Sequence, residues 1–459
     1  MNISGWQIKN KIILNFSTIL LGVVYISCIF WLGKYVPRSN FVALFSGVLF
    51  VTILGISVFF IVKIQPKLLL FFVGVSLVAR CCLLFVFPAW SEDIYRFLWD
   101  GHLWQLGLHP FEQTPVYLIE NQILTDEISC DLFAKMNSPA YFSIYPPVCQ
   151  AVFWSAIFLF PKDIFAATVC IKIFLLCCEF GSIYLIIKLL KKYQLPESNV
   201  LLYALHPLPI LEICGNAHFE GAMIFFLLLA IYGYSTINLS LSRLTFSTLS
   251  VVLSVASKLL PLMFVPVLFF YLKGKNKFYF ISILFLGLFI IFIPIFSPIF
   301  IQNFSNSLNL YFQKFEFNAS IFYLSRSVGH YFLHYDPILF MGPILSVLVV
   351  FIILGISWQR EISQLRLLET MLIASSLHLF FATVVHPWYV TMPLFLSIFT
   401  RWRFPFVWAF VVFLSYISYA NPPFRENLWA VALEYMIVFC TIIYELSVKN
   451  RITKKGIKR

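Results

Sequence analysis

Charge is scarce in this chain. Asp, Glu, Lys and Arg make up 11% of 459 residues, where soluble domains carry about 25%. Hydrophobic residues make up 61% and aromatic residues 19%. So little charge cannot cover a water-soluble globule, and the chain reads as an integral membrane protein. Metal-type cysteine spacing is missing too. None of the ten cysteines forms a Cys-x-x-Cys pair. Most lie in apolar runs, as Cys81-Cys82 and Cys177-Cys178 do, with Cys130 the loop exception. That excludes a disulfide framework and leaves small core hydrophobes. No tandem repeat, low-complexity linker or soluble domain interrupts the chain. The net charge of +12 has no basic, aromatic-interleaved groove behind it. Its Lys and Arg sit in short loops and in the tail 449–459, the positive-inside pattern of a membrane protein, so no nucleic acid is expected as partner.

The few acidic residues are concentrated. Residues 88–147 hold Glu92, Asp93, Asp100, Glu112, Glu120, Asp126, Glu127 and Asp131 against Arg96 and Lys135. Carboxylates gathered beside aromatic and Arg partners in a membrane protein point to chemistry or cation binding. A solvated acidic loop is the plainer alternative. Tyr95, Leu98, Trp99, His102 and Leu103 keep a helical rhythm, which predicts a short helix lying on the membrane surface. Gly107 to Phe111 supplies its turn.

Apolar runs at 12–32, 41–62 and 68–87 precede this loop. With Lys9 and Lys11 inside, three crossings put residues 88–147 outside, although Lys34 and Arg38 then also fall outside. Further runs follow at 145–160, 164–190, 201–214, 218–234, 244–272 and 278–296. After a second polar interval, 297–337, come 338–356, 367–385, 389–399, 404–419 and 428–446. The expectation is one all-α, polytopic unit over 1–459 with roughly 13 to 15 helices, counting ~17–25 residues per span. Lysine placement conflicts unless one segment between 145 and 190 is re-entrant. That choice brings Asn216, His218 and Glu220 to the outer face.

Candidate chemistry lies in five places. Asp93 and Arg96 are three apart, with Asp100 and His102 one to two turns on. Such a carboxylate can take a proton or hold a divalent cation, and an Arg can grip phosphate. His206, Glu212, Asn216, His218 and Glu220 are costly in apolar surroundings, as a site or as polar glue between helices. Lys258 is a lone cation in an apolar run, set for a phosphate, a buried pair or snorkelling to the interface. Asn318 stands in the second polar interval. His386, Trp388 and Tyr389 fit an interfacial belt or a surface that stacks on a sugar ring.

Asp93 to Gly101, Gly107 to Phe111 and Ile144 to Pro147 resemble the first extracytoplasmic loop of a known family. It is that of bacterial polyprenol-phosphate-mannose-dependent mannosyltransferases of the GT-C superfamily. Residues 206–220, 257–261, 317–321 and 386–389 continue the likeness in order. The resemblance implies a multi-pass glycosyltransferase of the bacterial inner membrane, with its site facing the periplasm or cell exterior. It implies inverting transfer of a hexose, taken as mannose, from a polyprenyl phosphate to a glycan or lipid acceptor. Asp93 matches the family's general base, and the loop 88–147 its catalytic loop with short interfacial helices. Donor and acceptor contacts are expected from Glu92, Tyr95, Arg96, Asp100, His102, Tyr145, His206, Glu212, Asn216, His218, Glu220, Lys258, Asn318, His386, Trp388 and Tyr389. Arg96 and Lys258 are assigned the departing phosphate. Glu92 stands where an Asp is common, which weakens a paired-Asp site for Mg or Mn. A transporter or flippase of lipid-linked sugars is the rival class. It would show inverted repeats and midplane polar groups, and neither is evident.

Overall fold

A computed structural model describes residues 3–236, 239–359, 363–421 and 423–454. The end of the basic tail, 455–459, lies outside them. The described residues are helical throughout, and the one β-like contact is a parallel bridge between Phe317 and Val384. Six helices are long and apolar enough to cross a membrane, and a bent pair makes a candidate seventh.

The chain starts with α1 (Ile3–Tyr35) and α2 (Phe41–Ile64), joined by a short turn in which Asn40 caps α2. Next comes α3 (Leu69–Cys82). The acidic loop folds into α4 (Asp93–Gln105), α5 (Pro115–Glu120) and α6 (Glu127–Lys135). Then α7 (Pro147–Leu159) leads to α8 (Ile164–Lys192). At 13 residues, α7 is about 20 Å long, well short of a ~30 Å hydrocarbon core. It is thus the piece between 145 and 190 that does not span by itself.

Beyond α9 (Leu201–Ala204), the run 201–214 is not a span. It ends in a π-helical turn, Pro209–Gly215, after which the chain bends by 110° into α10 (Glu220–Tyr234). The run 244–272 is broken after α11 (Leu241–Ser257), and α12 (Val265–Tyr271) resumes it beyond Pro261. The rest comprises α13 (Asn276–Phe292), α14 (Phe300–Lys314), α15 (Ile321–Leu333), α16 (Ile338–Ser357), α17 (Gln364–Phe381), α18 (Thr391–Ser397), α19 (Phe404–Val411) and α20 (Leu428–Lys454). Fewer long spans appear than apolar runs, because proline and polar breaks cut several runs into short pieces.

Packing inside the protein realises the amphipathic rhythm read at α4. Nine of its residues, Ile94 and Arg96 through Leu103, are buried. Gly101 permits this: a Cβ there would sit 2.4 Å from the Phe153 carbonyl oxygen of α7. The absent side chain lets two helix backbones touch, and Phe97 stacks on Phe153 at 4.6 Å. The turn after α4 is as expected. Gly107, at φ 73°, closes the helix, and the Leu108 amide returns to the Leu103 carbonyl at 2.9 Å.

Buried charge fixes the framework behind the loop. Arg80 of α3 pairs with Glu179 of α8 at 3.0 Å and donates to the Ala204 carbonyl at 2.8 Å. Tyr203 donates to the same Glu179 at 2.6 Å. Lys172 of α8 donates to the carbonyls of Leu83 and Val86, where α3 has run out of helical donors. Both Arg80 and Glu179 are fully buried, so removing one partner strands the other. Glu179→Leu is expected to cost about 3–5 kcal/mol, with most of it recovered in the double variant Arg80→Met/Glu179→Leu. Thermal unfolding in detergent measures this, and equal losses in both variants would contradict a paired-charge role.

Candidate active site

The site forms where four breaks in helical structure meet. The first is the extended stretch before α4, which delivers Asp93 as the first residue of that helix. The second is the bend between the π-helical turn and α10. π-Helical geometry is rare and concentrates at functional sites. Ala217 at the bend has φ 64°, a left-handed conformation unusual for a residue with a Cβ. It turns Asn216 and His218 out of any regular helix. The third is the break after α11, which frees Lys258. The fourth is the turn His386–Tyr389, held to the second polar interval by the Phe317 amide on the Thr383 carbonyl (3.1 Å) and the Val385 amide on the Phe317 carbonyl (2.8 Å).

Asn216 ties the first two together. Its side-chain oxygen accepts from the amides of Trp90, at 3.0 Å, and Ala89, at 3.3 Å. Its nitrogen donates to the Leu211 carbonyl at 3.0 Å and reaches Glu212 at 3.4 Å. Tyr416 donates to the other Glu212 oxygen at 2.6 Å. The segment entering α4 is thereby suspended from the bend. Ser91 Oγ accepts the Asp93 amide at 3.2 Å.

His218 stacks on Trp388, with ring centres 3.7 Å apart and planes 18° from parallel. Trp388 stacks in turn on His386 at 4.5 Å and 9°, and Phe317 lies 5.1 Å beyond. Lys258 forms an ion pair with buried Glu220 and lies 4.3 Å over the Tyr389 ring. Arg38 forms an ion pair with Glu92 and lies 4.3 Å over the Tyr419 ring. An open cleft lies beside these groups, lined among others by Arg38, Glu92, Asp93, Phe317, Trp388 and Tyr419.

Asp93 is half-buried at the cleft floor. Burial pushes its carboxyl above the usual carboxylate range, while His218 and Lys258 pull it back down. Glu92 and Glu220 push it up again. A carboxyl raised in this way takes a proton more readily than a free one, which suits a general base.

The expected residues divide. Glu92, Asp93, Glu212, Asn216, His218, Glu220, Lys258, His386, Trp388 and Tyr389 converge on the cleft or on groups that touch it. Tyr145 borders them, packed edge-on against Phe97 at 4.9 Å and within electrostatic reach of Asp93. Arg96 is placed elsewhere. It is buried, pairs with Asp100 at 2.8 Å and donates to the Tyr141 carbonyl at 2.8 Å. Asp100 also accepts from Ser143 and from Gln150. These contacts of Arg96 and Asp100 close the loop, while Arg96 Nη2 is left buried without a partner. His102 pairs with Asp126 at 3.4 Å, and Tyr95 takes Lys135 over its ring at 5.9 Å. His206 is buried, with Nδ1 accepting the Leu208 amide at 3.2 Å. Asn318 braces the bridge from behind, donating to Glu434 at 3.2 Å while its carbonyl accepts from Tyr435 at 2.7 Å. Glu92 turns both oxygens to Arg38, and among the described residues no cluster of three His, Cys, Asp or Glu is placed to hold a metal ion.

Arg38, Tyr416 and Tyr419 escape sequence reasoning. Arg38 carries a usable signal: three crossings from a basic N-terminus would leave it on the side where the positive-inside rule expects few cations. The two tyrosines sit unmarked in an apolar run.

No curated protein and no solved structure matches the chain. Residues 39–273 match the MptA_B family model, described as "Alpha-(1->6)-mannopyranosyltransferase, N-terminal domain". The matched half holds Asp93, Asn216, His218, Glu220 and Lys258 together. On that match the chain belongs to this mannosyltransferase family and is a multi-pass membrane glycosyltransferase of the GT-C type.

Proposed function

We propose that the chain moves mannose from a polyprenyl-phosphate carrier to a hydroxyl of a glycan or lipid acceptor at the outer face of the bacterial inner membrane, with Asp93 as general base. The observation that carries this is a raised, cleft-facing carboxyl with an aromatic wall on one side and a cation within electrostatic reach. The acceptor oxygen attacks the anomeric carbon while Asp93 takes its proton. The bond to phosphate breaks with its electron pair on the phosphate oxygen. Lys258 faces that growing charge, and Glu220 gives it up as the phosphate arrives. Arg96 has no part in this step. The stacked His218, Trp388 and His386 offer a flat wall for the sugar's apolar face. The family's name speaks of an alpha-(1->6) product. Inverting transfer to such a product requires a β-linked donor and a primary 6-hydroxyl on the acceptor. The rival reading, a transporter or flippase, gains no support from the family.

The contact between Arg38 and Glu92 supports a reading in which the α1–α2 turn and the acidic loop share one side of the membrane, and a basic N-terminus favours the exterior for that side.

Asp93→Asn is expected to fold normally and to lower transfer by ~10²–10⁴-fold, the range for losing a general base. Wild-type rates from the purified variant would exclude the role. In the wild type the base works only when ionised, and its carboxyl is held above the usual range. Activity should therefore fall as pH drops through that raised value. A pH–rate profile measures the limb, and a limb at ordinary carboxylate pH would count against a buried base. For sidedness, a cysteine at exposed Glu120, with Cys130 replaced by Ser, should react with an impermeant thiol reagent once only the outer barrier is opened. Labelling that waits for lysis of the inner membrane would reverse the topology.

A further inference from the structure

Arg38 stands on the short turn between α1 and α2, far in sequence from everything it touches. Both terminal nitrogens donate to the Glu92 carboxylate. Nη1 also donates to the Trp90 carbonyl at 3.1 Å. From the same turn the Val36 carbonyl accepts the Trp90 indole N–H at 2.7 Å. The guanidinium is backed by the Tyr419 ring at 4.3 Å. A planar fork fixed by a carboxylate, a carbonyl and a ring has one orientation, which a lysine could not reproduce. It grips the chain immediately before Asp93, on the Trp90 carbonyl where Asn216 takes the Trp90 amide.

The charges around Asp93 show what this grip does. His218 and Glu220 face it from the bend and α10, Lys258 from the end of α11, Tyr145 from the turn before α7, and Tyr419 from across the cleft. His386 stands behind His218. Two of these neighbours, Glu92 and Glu220, carry the same charge as an ionised Asp93. Each is matched by a cation, Glu220 by Lys258 and Glu92 by Arg38.

We propose that Arg38 is a positioning residue for mannosyl transfer: its grip on Trp90 and Glu92 aims the Asp93 carboxyl into the cleft and neutralises the carboxylate beside it. The proposal rests on Asp93 being the base.

The experiment compares Arg38→Met, Glu92→Gln, their double variant and Asp93→Asn, each full-length in nanodiscs. The donor is a synthetic β-linked polyprenyl-phosphate mannose and the acceptor a mannose oligosaccharide. The pH profile of kcat/KM, the donor KM and the melting temperature are read on each. Arg38→Met leaves Glu92 unmatched, so the acid limb moves up by about one pH unit and the rate below it falls about tenfold. Glu92→Gln leaves Arg38 unmatched, so the limb moves down. The double variant returns the limb close to the wild-type position, with the donor KM unchanged throughout. A raised donor KM with a fixed limb in Arg38→Met would make Arg38 a phosphate ligand instead and overturn the proposal. A lowered melting temperature with wild-type rate and limb would reduce Arg38 to packing and overturn it equally. If Arg38→Met does not fold, Glu92→Gln decides alone: a downward limb supports the clamp and a fixed limb defeats it. Asp93→Asn separates the two levels, because full activity there removes the base and the clamp together. Lost activity with unmoved limbs in the other variants removes the clamp only.

Discussion

The site depends on the carboxamide of Asn216. A buried backbone N–H must find a partner, and the irregular segment before α4 offers its amides at Ala89 and Trp90 with no helix to take them. Asn216 takes both. It can do so because the chain bends at Ala217 instead of running on as a span. The bend, in turn, is pinned by Glu212 and Tyr416. One amide side chain thus joins the loop that carries Asp93 to the helix break that carries His218 and Glu220. Without it the two would be separate polar patches.

This arrangement explains why so many polar residues are tolerated in so apolar a chain. Each break in a helix frees backbone groups, and each is answered by a side chain from another element. Lys172 answers the end of α3, Asn216 the stretch before α4, and Asn318 the bridge behind His386. The strained Ala217 is affordable because the surroundings over-determine it. The groups that remain free to act, Asp93, Lys258 and the stacked rings, are those left over once the backbone is satisfied.

Much of this was legible in the sequence. The density of carboxylates between 88 and 147, the polar run from His206 to Glu220 and the isolated Lys258 all mark places where charge is expensive, and from them Asp93, His218, Glu220 and Lys258 come together beside one cleft. Spacing was less informative about partners. Asp93 and Arg96 share a helical face, yet the i,i+4 pair Arg96–Asp100 is the contact that forms. The rhythm of α4 signalled a helix but could not say what covers it, because Gly101 and Phe153 are 52 positions apart. The pairing of Arg80 with Glu179 was illegible for the same reason, and Arg38, though marked as a misplaced cation, gave no local hint that Glu92 is its partner.

The contact of α4 with α7 at Gly101 has a consequence for how such an enzyme diversifies. The segment that carries Asp93 is anchored by a helix-to-helix seam, and Arg96 fastens the returning arm of the loop at Ser138 and Tyr141. Between these anchors, the exposed turn from Glu120 to Ile123 hydrogen-bonds back to its own α5. Substitutions in that turn would leave the seam and the Arg96 contacts in place, so the loop can alter its exposed surface without moving the segment that holds Asp93.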